Sequence, residues 1–297
     1  MLKKLFPYLG EYKHLAIITP LLMILEVACE LALPRFMANI VDVGIPSNDL
    51  SYILRMGAVM LVLAVCSMLC GMFGAKFAAI TGQGFGANLR RSIYNKVQEF
   101  SFADIDRFSS ASLITRITND VNAIQMMVTM ALRLLVRAPV MLIAALAVAF
   151  TINPSLVLVM LVTIPLLVLA IGVLMMVCNR LFSVLQTRID ALNATVQENL
   201  VAIRVVKAFV REGYEKTKFK TSNDDLTQAT IQVGMRVIAM IPIMMIAMNC
   251  ATAAVLYLGG GQVVAGDMLI GDLSSFITYI FQILMSVMML GMSFLQL

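Results

Sequence analysis

Four ionisable residues set in apolar sequence carry the first chemical signal. Glu26 and Glu30 are one helical turn apart, as are Arg133 and Arg137, and their neighbours are almost all apolar. Charge in such surroundings is costly and faces an interior or an aqueous cavity. Glu26 lies 15 residues before Val41, and Arg137 lies 16 before Asn153, the residues that end their segments. At the helical rise both are about 22–24 Å from those ends. Glu26 and Arg137 can therefore meet, while Arg133 approaches the opposite end. A neutralising structural ion pair and the polar lining of a cavity both fit these residues, and the two readings are compatible.

Other constellations lack what chemistry requires. The single histidine, His14, stands beside Lys13 without a plausible triad partner. Gly82-Gln83-Gly84-Phe85-Gly86-Ala87 echoes a dinucleotide loop, but no strand precedes it, so small residues for close helix packing are the better reading. No GxxxxGK[ST] loop occurs. Cys29, Cys66, Cys70, Cys178 and Cys250 all lie in apolar runs, without disulfide-framework or metal-site spacing. The 24 methionines cluster at Met126, Met127 and Met130, at Met240, Met244, Met245 and Met248, and at Met285, Met288, Met289 and Met292. Flexible thioethers suit core filling and equally a surface that accepts varied apolar ligands. No His or Cys joins them as a co-ligand, so no metal site is expected.

These residues sit in a chain too apolar to be soluble. Of its 297 residues 61% are hydrophobic and 13% charged, with mean hydropathy +0.92, against roughly 45–50% and about 25% in ordinary globular domains. Six stretches reach the ~20 residues that cross a bilayer, at about 15–40, 53–80, 131–152, 155–178, 237–258 and 273–297. The third and fourth are joined by Thr151-Ile152-Asn153-Pro154-Ser155, a turn signal. An all-α, six-helix membrane protein follows.

Its net charge of +5 reads as cytoplasmic cations rather than as a nucleic-acid footprint. Eighteen of the 22 lysines and arginines fall in the N-terminal segment, in the second and fourth connections and, as Lys76, at the adjoining end of the second stretch, and none in 41–51, 151–155 or 259–271. Both termini and both long connections are expected in the cytoplasm of a multi-pass protein. Residues 1–14 read as an amphipathic helix lying in that interface, or as a frayed end. The connections, about 81–130 and 179–236, contain no proline and show helical periodicity, as at Leu89, Ile93, Val97 and Phe100. A helix from 53 to 101 would be roughly 70 Å long, far beyond the ~30 Å hydrocarbon core. Two helical stalks projecting from the membrane are expected.

Two segments carry a family likeness. Asp106-Arg107-Phe108-Ser109-Ser110-Ala111-Ser112-Leu113-Ile114-Thr115-Arg116-Ile117-Thr118-Asn119-Asp120-Val121 resembles the first intracellular loop of ABC exporters of the six-helix half-transporter type. Val196-Gln197-Glu198-Asn199-Leu200-Val201-Ala202-Ile203-Arg204-Val205-Val206-Lys207-Ala208-Phe209 resembles the end of that family's fourth helix. Val41-Asp42-Val43-Gly44-Ile45 and Val136-Arg137-Ala138-Pro139 point to half-transporters of bacterial heterodimeric multidrug exporters. Many members have Thr-Gly-Glu-Leu where this chain has Ser110-Ala111-Ser112-Leu113.

The resemblance implies an ABC exporter transmembrane domain over 15–297 in a bacterial plasma membrane. It implies export of hydrophobic or amphipathic compounds by alternating access, with lipid or peptide cargo as the alternative. Coupling helices would lie near Asp104–Leu113 and Val210–Lys218. Asp106, Arg107, Phe108 and Arg116 would then belong to the first coupling region, and Arg211, Tyr214 and Glu215 to the second. Glu26, Glu30, Arg133 and Arg137 would line or brace the cavity. The partners implied are a second half-transporter, in a homo- or heterodimer, and nucleotide-binding domains that hold ATP and Mg; no ATPase residue is expected within 1–297. The family's ATPase domain should follow the sixth helix, so the apolar end at Leu297 leads to the expectation of a fragment, or of an ATPase on another chain. An ion-gradient carrier or channel is disfavoured by the long proline-free connections and by the lack of paired broken spans.

Overall fold

The structure is a computed structural model that describes residues 6–101, 108 and 110–296. All regular structure among these residues is helical. A short 3-10 segment, Phe6–Tyr12, leads into α1 (Lys13–Asn39), followed by α2 (Leu50–Gln98), α3 (Ser110–Thr115), α4 (Val121–Ile152), α5 (Pro154–Val201), α6 (Ile203–Ala208), α7 (Glu212–Ile238), α8 (Met240–Ala265) and α9 (Ile270–Gln296). Six helical stretches are long and apolar enough to cross a membrane: Phe6–Gly44, Leu50–Gln98, Ser112–Ile152, Pro154–Val201, Glu212–Ala265 and Ile270–Gly291. The all-α, six-span architecture is thus the one expected.

Local chemistry explains the element ends. Asn153 is extended (φ −153°), as a residue before proline must be. Its Oδ1 accepts the backbone N–H of Ser155 at 3.0 Å and of Leu156 at 3.2 Å, capping α5 with Pro154 in the first turn. Asp49 does the same for α2, accepting from the Tyr52 N–H at 3.0 Å. The interior of α2 holds no proline, and the helix runs unbroken for 49 residues, about 73 Å at the helical rise.

The chain divides into two compact units. The first, Met1–Leu161 with Ala251–Leu297, packs α1, α2, α4 and α9 against one another. Met23 and Val27 of α1, Ala78 and Phe85 of α2, Ala145 and Ala149 of α4, and Phe276, Tyr279 and Ile283 of α9 are fully or nearly fully buried there. Small residues let α2 approach closely. A Cβ on Gly82 would overlap Thr129, one on Gly84 the Tyr12 ring, and one on Gly86 the Gln125 amide. The Gly82–Gly86 run is therefore a packing device. At one end of this unit the Phe6–Tyr12 segment turns at Gly10, with φ +48°, and seats Leu9 against Phe85, Leu89 and Val121. Residues 1–5, part of the segment read as an interfacial helix, lie outside the described residues.

The second unit, Val162–Cys250, contains the hairpin of α5 and α7. Polar contacts tie its two arms: Arg188–Asp225 at 2.9 Å, Lys218–Glu198 at 2.6 Å, and the Asn199 amide donating to Glu215 at 3.1 Å. Large apolar side chains outside both cores, such as Leu61, Val62 and Met176, are exposed. Lipid would cover such surface.

Candidate functional site: an ion cluster inside the helix bundle

Within the first unit α1 and α4 bring their charges together. Arg137 Nη2 donates to both carboxylate oxygens of Glu30, at 2.7 and 2.9 Å. Its Nη1 stands 3.6 Å from Glu26. One guanidinium thus serves two carboxylates stacked a helical turn apart. Glu26 is the more buried of the two, and a Cβ on Gly71 of α2 would come within 3.0 Å of its carboxylate. Arg133, a turn away on α4, is exposed and has no carboxylate within ion-pair distance among the described residues. The four-residue set resolves into a three-member cluster and a separate arginine.

The cluster borders a cleft of about 200 Å³ between α4 and α9. Glu30 and Arg137 form its polar wall; Met141, Phe281, Met285 and Met289 are among its apolar lining. Gln282 also lines it, and its Oε1 is buried without a hydrogen-bond partner. A buried carbonyl oxygen left unpaired costs about 1–3 kcal/mol. Sequence reasoning missed Gln282; a lone amide midway along an apolar span was the available signal. The methionine clusters divide in space: Met285 and Met289 reach the cleft, whereas Met126 and Met130 are exposed.

At the other end of the bundle α1 and α9 are pinned by polar contacts that composition did not reveal. Arg35 pairs with Asp272 at 2.9 Å. Asp42, in the π-helical turn Ile40–Gly44, accepts the Gly271 N–H at 2.7 Å, at the start of α9. Tyr279 is fully buried and donates to the Leu31 carbonyl at 2.8 Å.

The coupling residues are distributed as follows. Asp106 and Arg107 lie outside the described residues. Phe108 stacks on Phe100 with ring centroids 5.8 Å apart, and the Arg116 guanidinium sits 5.1 Å from the Phe108 ring centre. In the second unit the short separate helix is α6, while Glu212–Lys218 opens the long helix α7. Arg211 caps α7 without a side-chain hydrogen bond, Glu215 receives Asn199, and Tyr214 is 62% exposed. Beside Tyr214 in sequence, Phe209 and Val210 are 73% and 80% exposed. Glu212 is held below the usual carboxylate range by its own backbone N–H and then by Lys207, and Lys218 is raised by its bond to Glu198. His14 is exposed and all five cysteines are free thiols.

Comparison with known proteins assigns the family. The profile of the ABC transporter transmembrane region matches residues 16–287. An uncharacterized ABC transporter ATP-binding protein of Bacillus subtilis, YfiB, is 35% identical over 94% of this chain and 48% of its own length. A Mycobacterium tuberculosis ABC transporter ATP-binding protein is 33% identical over 99% of this chain and 50% of its own. A protein named as a fatty acid ABC transporter ATP-binding/permease protein, from Mycobacterium bovis, is 28% identical over 79% of this chain and 37% of its own. The chain thus spans about half the length of the first of these relatives. Six membrane-length helices and this match together make it a multi-pass membrane protein, and it belongs to the ABC transporter transmembrane region family.

Proposed function

We propose that the chain is the membrane half of an ATP-driven exporter of hydrophobic or amphipathic compounds, with the cleft beside Glu30 and Arg137 as part of the cargo path. The observation that carries this reading is the ion cluster itself: three ionisable groups spent inside an apolar bundle, opening on a wall of methionine and phenylalanine. A purely structural bundle gains little from buried ion pairs, which apolar residues of similar volume often replace without loss. A site that must admit amphipathic molecules needs both a polar anchor and an adaptable apolar surface.

The drive would come from nucleotide-binding domains, a reading supported in general terms by relatives named as ABC transporter ATP-binding proteins. Phe108 and Arg116 at one tip, and Arg211, Tyr214 and Glu215 at the other, would receive them. The exposed Phe209, Val210 and Tyr214 have the apolar, amphipathic character of a docking surface. ATP-driven closure would switch a dimer of two such chains between inward- and outward-facing forms. Both termini would lie in the cytoplasm. One relative is named as a lipid A-core flippase and another as a fatty acid transporter, which keeps lipid cargo as the second reading.

The test is ATP-dependent accumulation of a fluorescent amphiphile by inverted vesicles carrying the full-length protein. Arg137→Met should cut accumulation at least tenfold while the protein still inserts. Unchanged accumulation and unchanged stability in that variant would remove the cleft from the cargo path.

A further inference from the structure

We infer that the cleft selects amphiphiles whose head group is a cation bearing N–H donors, such as a protonated primary amine, and rejects anionic ones. This deepens the proposed function and rests on the cleft being part of the cargo path.

Two carboxylates share one guanidinium, and that guanidinium is already engaged by both, at 2.7–3.6 Å. An incoming anion would have to displace a carboxylate from Arg137 in low-dielectric surroundings, where like charges are costly. A cation would supply the positive charge the cluster lacks. Arg133 acts on Glu26 only from a longer range: it is a turn away, exposed, and outside ion-pair distance of both carboxylates.

Gln282 lines the cleft, and its Oε1 is buried just beneath that wall with no hydrogen-bond partner among the described residues, so a rotation of the amide toward the cleft would present it to a bound donor. It is an acceptor waiting for a donor, as are the lone pairs on the Glu30 oxygens that Arg137 leaves free. A primary ammonium supplies three donors, a quaternary ammonium none. The remaining lining named above, three methionines and a phenylalanine, accommodates an alkyl or aryl body and adds favourable contacts to a cation through the ring face.

The experiment compares four probes of equal chain length below their micellar concentrations: dodecylammonium, dodecyltrimethylammonium, dodecanol and dodecyl sulfate. Their binding to the full-length protein in nanodiscs is measured by displacement of a bound fluorescent amphiphile. A hydrogen bond to a charged group contributes about 1.5–3 kcal/mol, so dodecylammonium should bind at least about tenfold tighter than dodecanol. It should also bind several-fold tighter than dodecyltrimethylammonium, with dodecyl sulfate weakest. Gln282→Leu keeps the ion cluster and should remove the preference for ammonium over trimethylammonium while retaining cation over anion. Equal or reversed ranking, with the probes still binding, overturns the selectivity and leaves the cargo path standing. Failure of all four to bind overturns the cargo path and this inference with it. The ranking on the unaltered protein needs no variant, so misfolding of Gln282→Leu cannot shield the idea.

Discussion

Arg137 is held by two carboxylates that would otherwise face each other across a helical turn. Removing one partner of a buried pair costs about 3–5 kcal/mol. The side chains here retain roughly a quarter of their exposure, so Arg137→Met should destabilise by a smaller amount, about 2–3 kcal/mol. A lowered midpoint in thermal unfolding of the detergent-solubilised protein checks this. Glu26→Gln should cost less, because its contact is 3.6 Å rather than 2.7 Å. At Asn153 the side-chain oxygen holds two N–H groups at the start of α5. Asn153→Ala should therefore cost about 1 kcal/mol by the same measurement. The spacing of Glu26, Glu30 and Arg137 was legible because intramembrane charge is rare. The depth count named Glu26 as the partner of Arg137, yet the shorter contact is with Glu30. Counting residues from the span ends assumes upright, regular helices. Pro34 within α1 and the π-helical turn Ile40–Gly44 break that assumption. Gln282 was legible only as a lone amide in an apolar span; that its Oε1 lacks a partner emerges from the packing around it.

At the scale of the element, hydropathy and proline placement marked the six membrane-length helices, since a bilayer leaves a chain few alternatives. The same pattern could not show which faces touch. The Gly82–Gly86 run illustrates the gap: small residues suggested close approach, but only the structure names Thr129, Tyr12 and Gln125 as what fills the space. Gly84→Leu should drive the Tyr12 ring out of its seat and free the Phe6–Tyr12 segment from α2. Overpacking of this kind typically costs about 1–3 kcal/mol. Faster protease cleavage near Tyr12 in the variant, with the rest of the bundle resistant, is the expected readout. The coupling assignments show the opposite limit. A local resemblance points to a coupling helix near Val210–Lys218; there Glu212–Lys218 forms the first turns of α7, a separate short helix is Ile203–Ala208, and Val210, with φ +52°, marks the turn between them.

For the whole molecule, the charge asymmetry of the connections makes a direct prediction. Single cysteines placed at 48 and at 213, on a background with the five native thiols replaced, should label from opposite sides of the membrane. A membrane-impermeant maleimide applied to intact cells should reach position 48 and spare position 213. The exposed tip of the second unit makes another: Tyr214→Ala should leave insertion and stability within about 0.5 kcal/mol, as an exposed site usually does, while lowering cargo-stimulated ATPase activity of the full-length protein. The α1–α9 pins bear on motion. Arg35–Asp272, Asp42–Gly271 and Tyr279–Leu31 join two helical segments that are far apart in sequence, and the last of these bonds is buried. Parting them requires breaking three polar contacts, one of them buried, and a motion that spares all three carries the two helices as one piece.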